Sequence, residues 1–202
     1  MLIDDLAHIR GWVFDLDGTL TQPVLDFTAI RNELGIPQHA DILGFIATQP
    51  EPHKAALNKK LYELELYYAG LAKPAEGAHA LISFLASSTK CLGILTRNDR
   101  QIALTTLEAI GLRHYFDERF ILGRDEAEPK PSGQGIEMLC TQWDISPTQS
   151  VMVGDYIHDL GAGRAVGAMT INYHPTPDVS WREHTDLHVA SLHQLLKAKA
   201  KI

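Results

Sequence analysis

Asp15 and Asp17 lie one residue apart at the end of a short apolar run, Gly11-Trp12-Val13-Phe14, with Gly18-Thr19 directly behind them. Side chains at i and i+2 of an extended segment point the same way. Both carboxylates therefore face one small volume, unless the turn redirects the second. Two acids at a strand tip repel each other and need compensation. A divalent cation is one form of it; an acid–base role for one of the pair is another.

Three further groups of chemically capable residues stand at comparable places. They are Thr96-Arg97-Asn98-Asp99, the loop Glu128-Pro129-Lys130-Pro131-Ser132-Gly133, and Gly154-Asp155-Tyr156-Ile157-His158-Asp159. Apolar patterning predicts strands over 11–15, 91–95, 119–122, 150–153 and 169–173, with a short edge strand near 187–190. Helices are predicted over 75–87, 99–110, 132–142, 159–166 and 191–199, with Gly111 and Gly167 as terminators. Between Gln22 and Lys73 the pattern is helical only. Asp26 is a candidate cap for a helix ending at Leu34, with Gly35 and Pro37 behind it. A second helix covers 40–48, Gln49-Pro50-Glu51-Pro52 interrupts the chain, and a longer helix runs to about Tyr68 on Leu57, Leu61, Leu64 and Tyr68.

Alternating strands and helices imply βαβ units and a parallel sheet with right-handed crossovers. In such sheets the site lies outside the carboxyl ends of the strands. That places two acids, a hydroxyl with nearby amides, a lysine and two more acids on one edge. The set suits phosphoryl transfer: a carboxylate attacks, lysine and metal balance the phosphate charge, and a hydroxyl with backbone N–H groups binds its oxygens.

The chain has 202 residues, 45% hydrophobic and 21% charged, enough for one domain with a small insert. A net charge of -7 argues against nonspecific nucleic-acid or membrane-surface binding, though not against an anionic substrate. No apolar run reaches spanning length, and Met1-Leu2-Ile3-Asp4-Asp5 puts acid where a secretory leader is basic. Cys91 and Cys140 are far apart with no CxxC, which points to a reduced, cytoplasmic setting. Oligomeric state is left open by these features.

Taken in order, the four segments resemble the haloacid dehalogenase superfamily of phosphohydrolases. Asp15-x-Asp17-Gly18-Thr19 is similar to its first motif, Thr96 to its second, Lys130 to its third, and Gly154-Asp155-x-x-x-Asp159 to its fourth. The resemblance covers nearly the whole chain. It implies a Rossmann-like three-layer α/β core, with a mostly parallel sheet, formed by 1–21 and 74–202. It also implies that 22–73 is a short, all-helical C1-type cap inserted after the first strand, as in the phosphoglycolate phosphatase-like branch.

Roles follow from the same resemblance. Asp15 is the nucleophile that forms an aspartyl-phosphate, and Asp17 protonates the leaving oxygen and then activates water. The plain alternatives are a strand-terminal Asp and an Asp-Gly turn. Thr96 holds a phosphate oxygen, with Arg97, Asn98 and Gly18 nearby, while Asn98 or Asp99 serves equally as a helix N-cap. Arg97 reaches substrate or lies over the surface. Lys130 is stiffened by its flanking prolines and pairs with nucleophile and phosphate. Mg²⁺ is held by Asp15, the backbone carbonyl of Asp17, and Asp155, with Asp159 in the outer shell or simply favoured by a helix dipole.

The expected activity is Mg²⁺-dependent hydrolysis of small phosphorylated metabolites. Cap residues Arg31, Gln49, His53 and Lys54 are candidates for the leaving group or plain solvated faces. A phosphomutase on the same chemistry is one rival, and a non-catalytic phosphate-sensing protein is another.

Overall fold

The computed structural model describes residues 6, 8–23, 27–88, 90–176 and 181–197. The chain opens with β1 (Gly11–Phe14), followed by α1 (Phe27–Leu34), α2 (Ile42–Ala47) and α3 (His53–Gly70). Then α4 (Ala78–Ser87) leads to β2 (Cys91–Leu95), α5 (Arg100–Ala109) and β3 (Ile121–Leu122). The remainder is α6 (Gln134–Gln142), β4 (Ser150–Gly154), α7 (Ile157–Ala165), β5 (Met169–Tyr173), β6 (Leu187–Val189) and α8 (His193–Lys197).

The strands form one sheet in the order β3-β2-β1-β4-β5-β6, and every pairing is parallel. β1 is central, with Phe14 opposite both Ile94 of β2 and Val153 of β4. The chain builds outward from β1 through β2 and β3 on one side, then crosses from β3 to β4 and continues to β6 on the other, which opens a crevice at the carboxyl ends of β1 and β4. The register sets Asp15, Thr96 and Asp155 side by side just beyond the sheet. The Asp15 N–H donates to Val153 O at 2.9 Å, and the Thr96 N–H to Leu122 O at 3.0 Å.

Strand alternation divides the core into two layers. Trp12 and Phe14, with Val151 and Val153, pack among side chains of α4, α5 and α8. Val13 and Met152 point the other way, toward Ile136 and Leu139 of α6 and Ala162 of α7. This is a three-layer, Rossmann-like α/β/α arrangement. The helices α1–α3 have a small core of their own, built on Ile30, Leu34, Ile42, Ile46, Leu57 and Leu61. Their two connections to the sheet run together: Thr21 and Pro74 form an antiparallel bridge, Gln22 N donates to Lys73 O, and Ala75 N donates to Leu20 O.

Several boundaries differ from the sequence reading, for local reasons. The second helix starts at Ile42 because the Asp41 carboxylate caps it, accepting from Gly44 N at 2.6 Å. Residues 119–120 belong to a 3₁₀ turn capped by Asp117, so the third strand has only two residues. The helix after β4 begins at Ile157, which brings Asp159 into its first turn. Asp26, and the end of the last helix at 198–199, lie outside the described residues.

Candidate functional site

Lys130 is the buried centre of the site. Its ammonium donates to Asp15 Oδ1 at 2.6 Å and Leu95 O at 2.8 Å, and pairs with Asp159 Oδ1 at 2.6 Å. Those three contacts match the three protons of the group. Burial alone would pull its pKa down, but the carboxylates of Asp15 and Asp159 more than reverse this and hold it above the ordinary lysine value.

Asp15 is buried at the tip of β1. Burial raises its carboxyl well above the usual range; Lys130 opposes the rise, while Asp159 and Asp155 add to it. Asp155 follows β4 and is raised to about 6, first by burial and then by Asp159. Asp159 bridges two tasks: Oδ1 meets Lys130, and Oδ2 accepts from the Tyr156 N–H at 3.0 Å, which caps α7. Two glycines make this crowding feasible. A Cβ on Gly154 would lie 2.2 Å from Asp159 Cβ, and a Cβ on Gly18, at φ +87°, would lie 2.5 Å from Asp155 Oδ2.

Asp15, Asp155 and Asp159 each offer a carboxylate oxygen within 4.8 Å of the others. Hard oxygen donors at this spacing, with Asp15 and Asp155 held above their ordinary pKa values by burial, fit a divalent cation such as Mg²⁺. Asp159 belongs to this cluster, with both its oxygens engaged by Lys130 and the Tyr156 N–H.

Asp17 is turned away from that cluster. Its Oδ2 accepts from Asn98 Nδ2 at 2.7 Å. Burial raises its carboxyl too, with Lys130 and the Asn98 bond opposing. Thr96 is buried, and its hydroxyl accepts from the Asn98 N–H at 3.1 Å. Asp99, rather than Asn98, caps α5 through the Gln101 N–H, which leaves the Asn98 amide for Asp17. The Gly18 N–H is committed to Thr21 Oγ1 at 3.2 Å, so this glycine serves the turn and admits Asp155. Thr19 donates to Asp155 Oδ1 at 3.2 Å.

These groups lie at the base of a cleft of ≈ 460 Å³ between the sheet edge and the α1–α3 block. Arg97 is exposed on its wall and faces Asp41 of the helical block at 3.9 Å. Of the four polar residues singled out in the block, Arg31 lines the cleft; Gln49, His53 and Lys54 are not among the described lining residues. Gln49 instead donates to Phe45 O within the block. His158, which stands in the fourth motif at a position its pattern leaves free, also lines the cleft, as do Phe27 and Tyr156, whose spacing carries no chemical signal. Sequence reasoning passed over Glu65, whose carboxylate lines the cleft and pairs with Arg124 of the sheet's loops at 2.5 Å.

A family model described as haloacid dehalogenase-like hydrolase matches residues 12–173. A haloacid dehalogenase-like hydrolase domain-containing protein of Arabidopsis thaliana is 35% identical over 183 residues, which is 81% of this chain and 70% of that one. The phosphoglycolate phosphatase of Chromobacterium violaceum is 30% identical over 193 residues, 83% of this chain and 86% of its own. Among solved structures, a predicted phosphoglycolate phosphatase from Haemophilus somnus aligns with a TM-score of 0.75 at 17% identity, over 95% of this chain and 98% of that one. At that identity the likeness concerns the fold. No helix of the described residues is long and apolar enough to cross a membrane.

Proposed function

The chain belongs to the haloacid dehalogenase-like hydrolases, and from that premise we propose that it is a cytoplasmic, Mg²⁺-dependent phosphatase of small phosphorylated metabolites. The observation that carries this reading is the separation of the two acids at the tip of β1. Asp15 is held by Lys130 inside an acidic cluster, while Asp17 is held by Asn98 outside it. Environments that push two carboxyls apart assign them different roles.

Asp15 is the nucleophile. It forms an oxygen–phosphorus bond as the bond to the leaving alcohol breaks, and Asp17 gives its proton to the departing oxygen. Water then cleaves the aspartyl-phosphate, with Asp17 taking the proton back, so ester and water become alcohol and phosphate. Lys130 keeps Asp15 in line and balances charge at the phosphoryl group, and Thr96 offers its hydroxyl to a phosphate oxygen. Mg²⁺, held by Asp15, Asp155 and the Asp17 carbonyl, would draw charge from the phosphoryl oxygens when bound. Asp159 fixes Lys130 and the start of α7. The α1–α3 block, 22–73, acts as the cap and sets the leaving group. The free thiols of Cys91 and Cys140 suit the reducing compartment proposed.

The test is phosphate release from a panel of monoesters with Mg²⁺ or with EDTA. Wild type is expected to turn over only with the metal, and Asp15→Asn to lose turnover with its fold intact. No release from any ester by well-folded wild type would refute the hydrolase reading, and interconversion of hexose 1- and 6-phosphates would select a mutase.

A further inference from the structure

The outer part of the cleft is not used by the chemistry above. Its walls are largely apolar, with Phe27, Ile42 and Leu43 from the helical block and Tyr156 from the sheet edge. Phe27 and Tyr156 are each 53% exposed, although both adjoin a buried polar cluster. Tyr156 is held in place by edge contacts to His158 and Trp181, with ring centroids 5.1 and 5.5 Å away. An oriented aromatic ring left open inside a cleft is a stacking surface.

Of the charged groups along this cleft, Arg31 is anchored to backbone carbonyls and two others form ion pairs. Arg31 donates from Nε to Ala40 O at 3.1 Å and from Nη1 to Phe27 O at 3.2 Å. Arg97 faces Asp41, and Glu65 is paired with Arg124. The apolar walls suit a flat ring, and the cleft of ≈ 460 Å³ accommodates one together with a phosphate.

We propose that the leaving alcohol carries an aromatic or heteroaromatic ring, bound against the exposed rings of Phe27 and Tyr156 that line the cleft. This rests on the phosphatase reading and specifies its substrate class. An aryl phosphate would be a poor probe, because a good leaving group speeds hydrolysis without any stacking. Benzyl phosphate, n-butyl phosphate and phosphoglycolate avoid this, since each releases an alkyl alcohol.

The expected result is a kcat/KM for benzyl phosphate at least about tenfold above both others, the gain of roughly two ring contacts. Phe27→Leu and Tyr156→Leu, which keep apolar volume but remove the flat face, should each reduce the benzyl-to-butyl ratio by about threefold or more. Equal or lower kcat/KM for benzyl phosphate overturns the ring assignment and leaves the phosphatase reading standing, as does an unchanged ratio in both folded variants. Absence of turnover on every ester, aryl phosphates included, overturns both.

Discussion

Glu65 and Arg124 join the helical block to the sheet's loops, and the strength of that join can be worked out. The side chains are 11% and 21% exposed, and Arg124 Nη2 lies 2.5 Å from Glu65 Oε2. For charge centres about 4 Å apart at an effective dielectric near 20, attraction is about 4 kcal/mol. Burial works against it: the Glu65 carboxyl is raised above its ordinary pKa, so desolvation outweighs Arg124. Arg124 Nε is also buried with no hydrogen-bond partner among the described residues. The pair as a whole therefore contributes little, whereas half of it is strongly unfavourable. Arg124→Met should lose about 3 kcal/mol at pH 7, the lower end for an uncompensated buried charge, because Glu65 escapes by taking up a proton. The double variant Glu65→Leu/Arg124→Met should return to within about 1 kcal/mol of wild type.

Urea denaturation of wild type, both singles and the double variant measures this cycle. The sign with pH is a second check. With Arg124 gone, the folded-state pKa of Glu65 is raised further, so the loss develops as pH rises through the carboxylate range and shrinks as pH falls. A double variant as unstable as the sum of its singles, or an Arg124→Met loss unchanged between pH 5 and pH 8, would refute the electrostatic account.

Gly154→Ala should displace Asp159, breaking the α7 cap and the contact to Lys130; about 1 and 2 kcal/mol respectively give a loss near 3 kcal/mol by denaturation. In EDTA, stability should fall as pH rises from about 4 to about 6, because folded Asp155, raised from 3.8 to about 6, keeps its proton where the unfolded chain has lost it. The shift corresponds to a loss on the order of 3 kcal/mol, so added Mg²⁺ should raise the melting temperature more at pH 7.5 than at pH 5. Asn98→Ala leaves α5 capped by Asp99 but removes the hydrogen bond to Asp17; kcat should fall about tenfold or more, with a stability loss of only about 1 kcal/mol by the same denaturation assay.

The sheet and the tips that carry the site were legible because β1, β2 and β4 are short, largely apolar and followed closely by polar residues. What patterning missed is instructive at Glu65. The sequence places Leu57, Leu61, Leu64 and Tyr68 on one helical stripe, and all four pack in or against the small helical core, but the fully buried face of α3 also takes in Glu65 and Ala69. An acid at i+4 from Leu61 on an apolar stripe was a visible signal of a buried partner. The identity of that partner was not visible, since Arg124 is brought there only by the tertiary fold. Asp17 was ambiguous for a related reason: the i, i+2 rule holds within a strand, and β1 ends at Phe14. Tyr156 stands in a variable place of its motif, and only its position in the cleft gives it meaning.

The charge balance of the site connects these features. Asp15, Asp17, Asp155 and Asp159 surround a single lysine, and with all four ionised the group would repel a phosphate. Burial relieves part of this by holding Asp15, Asp17 and Asp155 above their ordinary pKa values. A divalent cation at the cluster would lower the carboxyls that touch it, Asp15 and Asp155, and restore Asp15 as a nucleophile. Asp17 points its carboxylate toward Asn98 instead and is relieved less. With one proton left on Asp17, four acids, a lysine and a divalent ion come to zero net charge. In the proposed mechanism, that state both lets a phosphate dianion approach and leaves Asp17 a proton for the leaving oxygen. On the proposed reading, the turn after Phe14 does more than separate two repelling acids: by sending Asp17 to Asn98 it keeps that acid away from the carboxylates that would hold the metal.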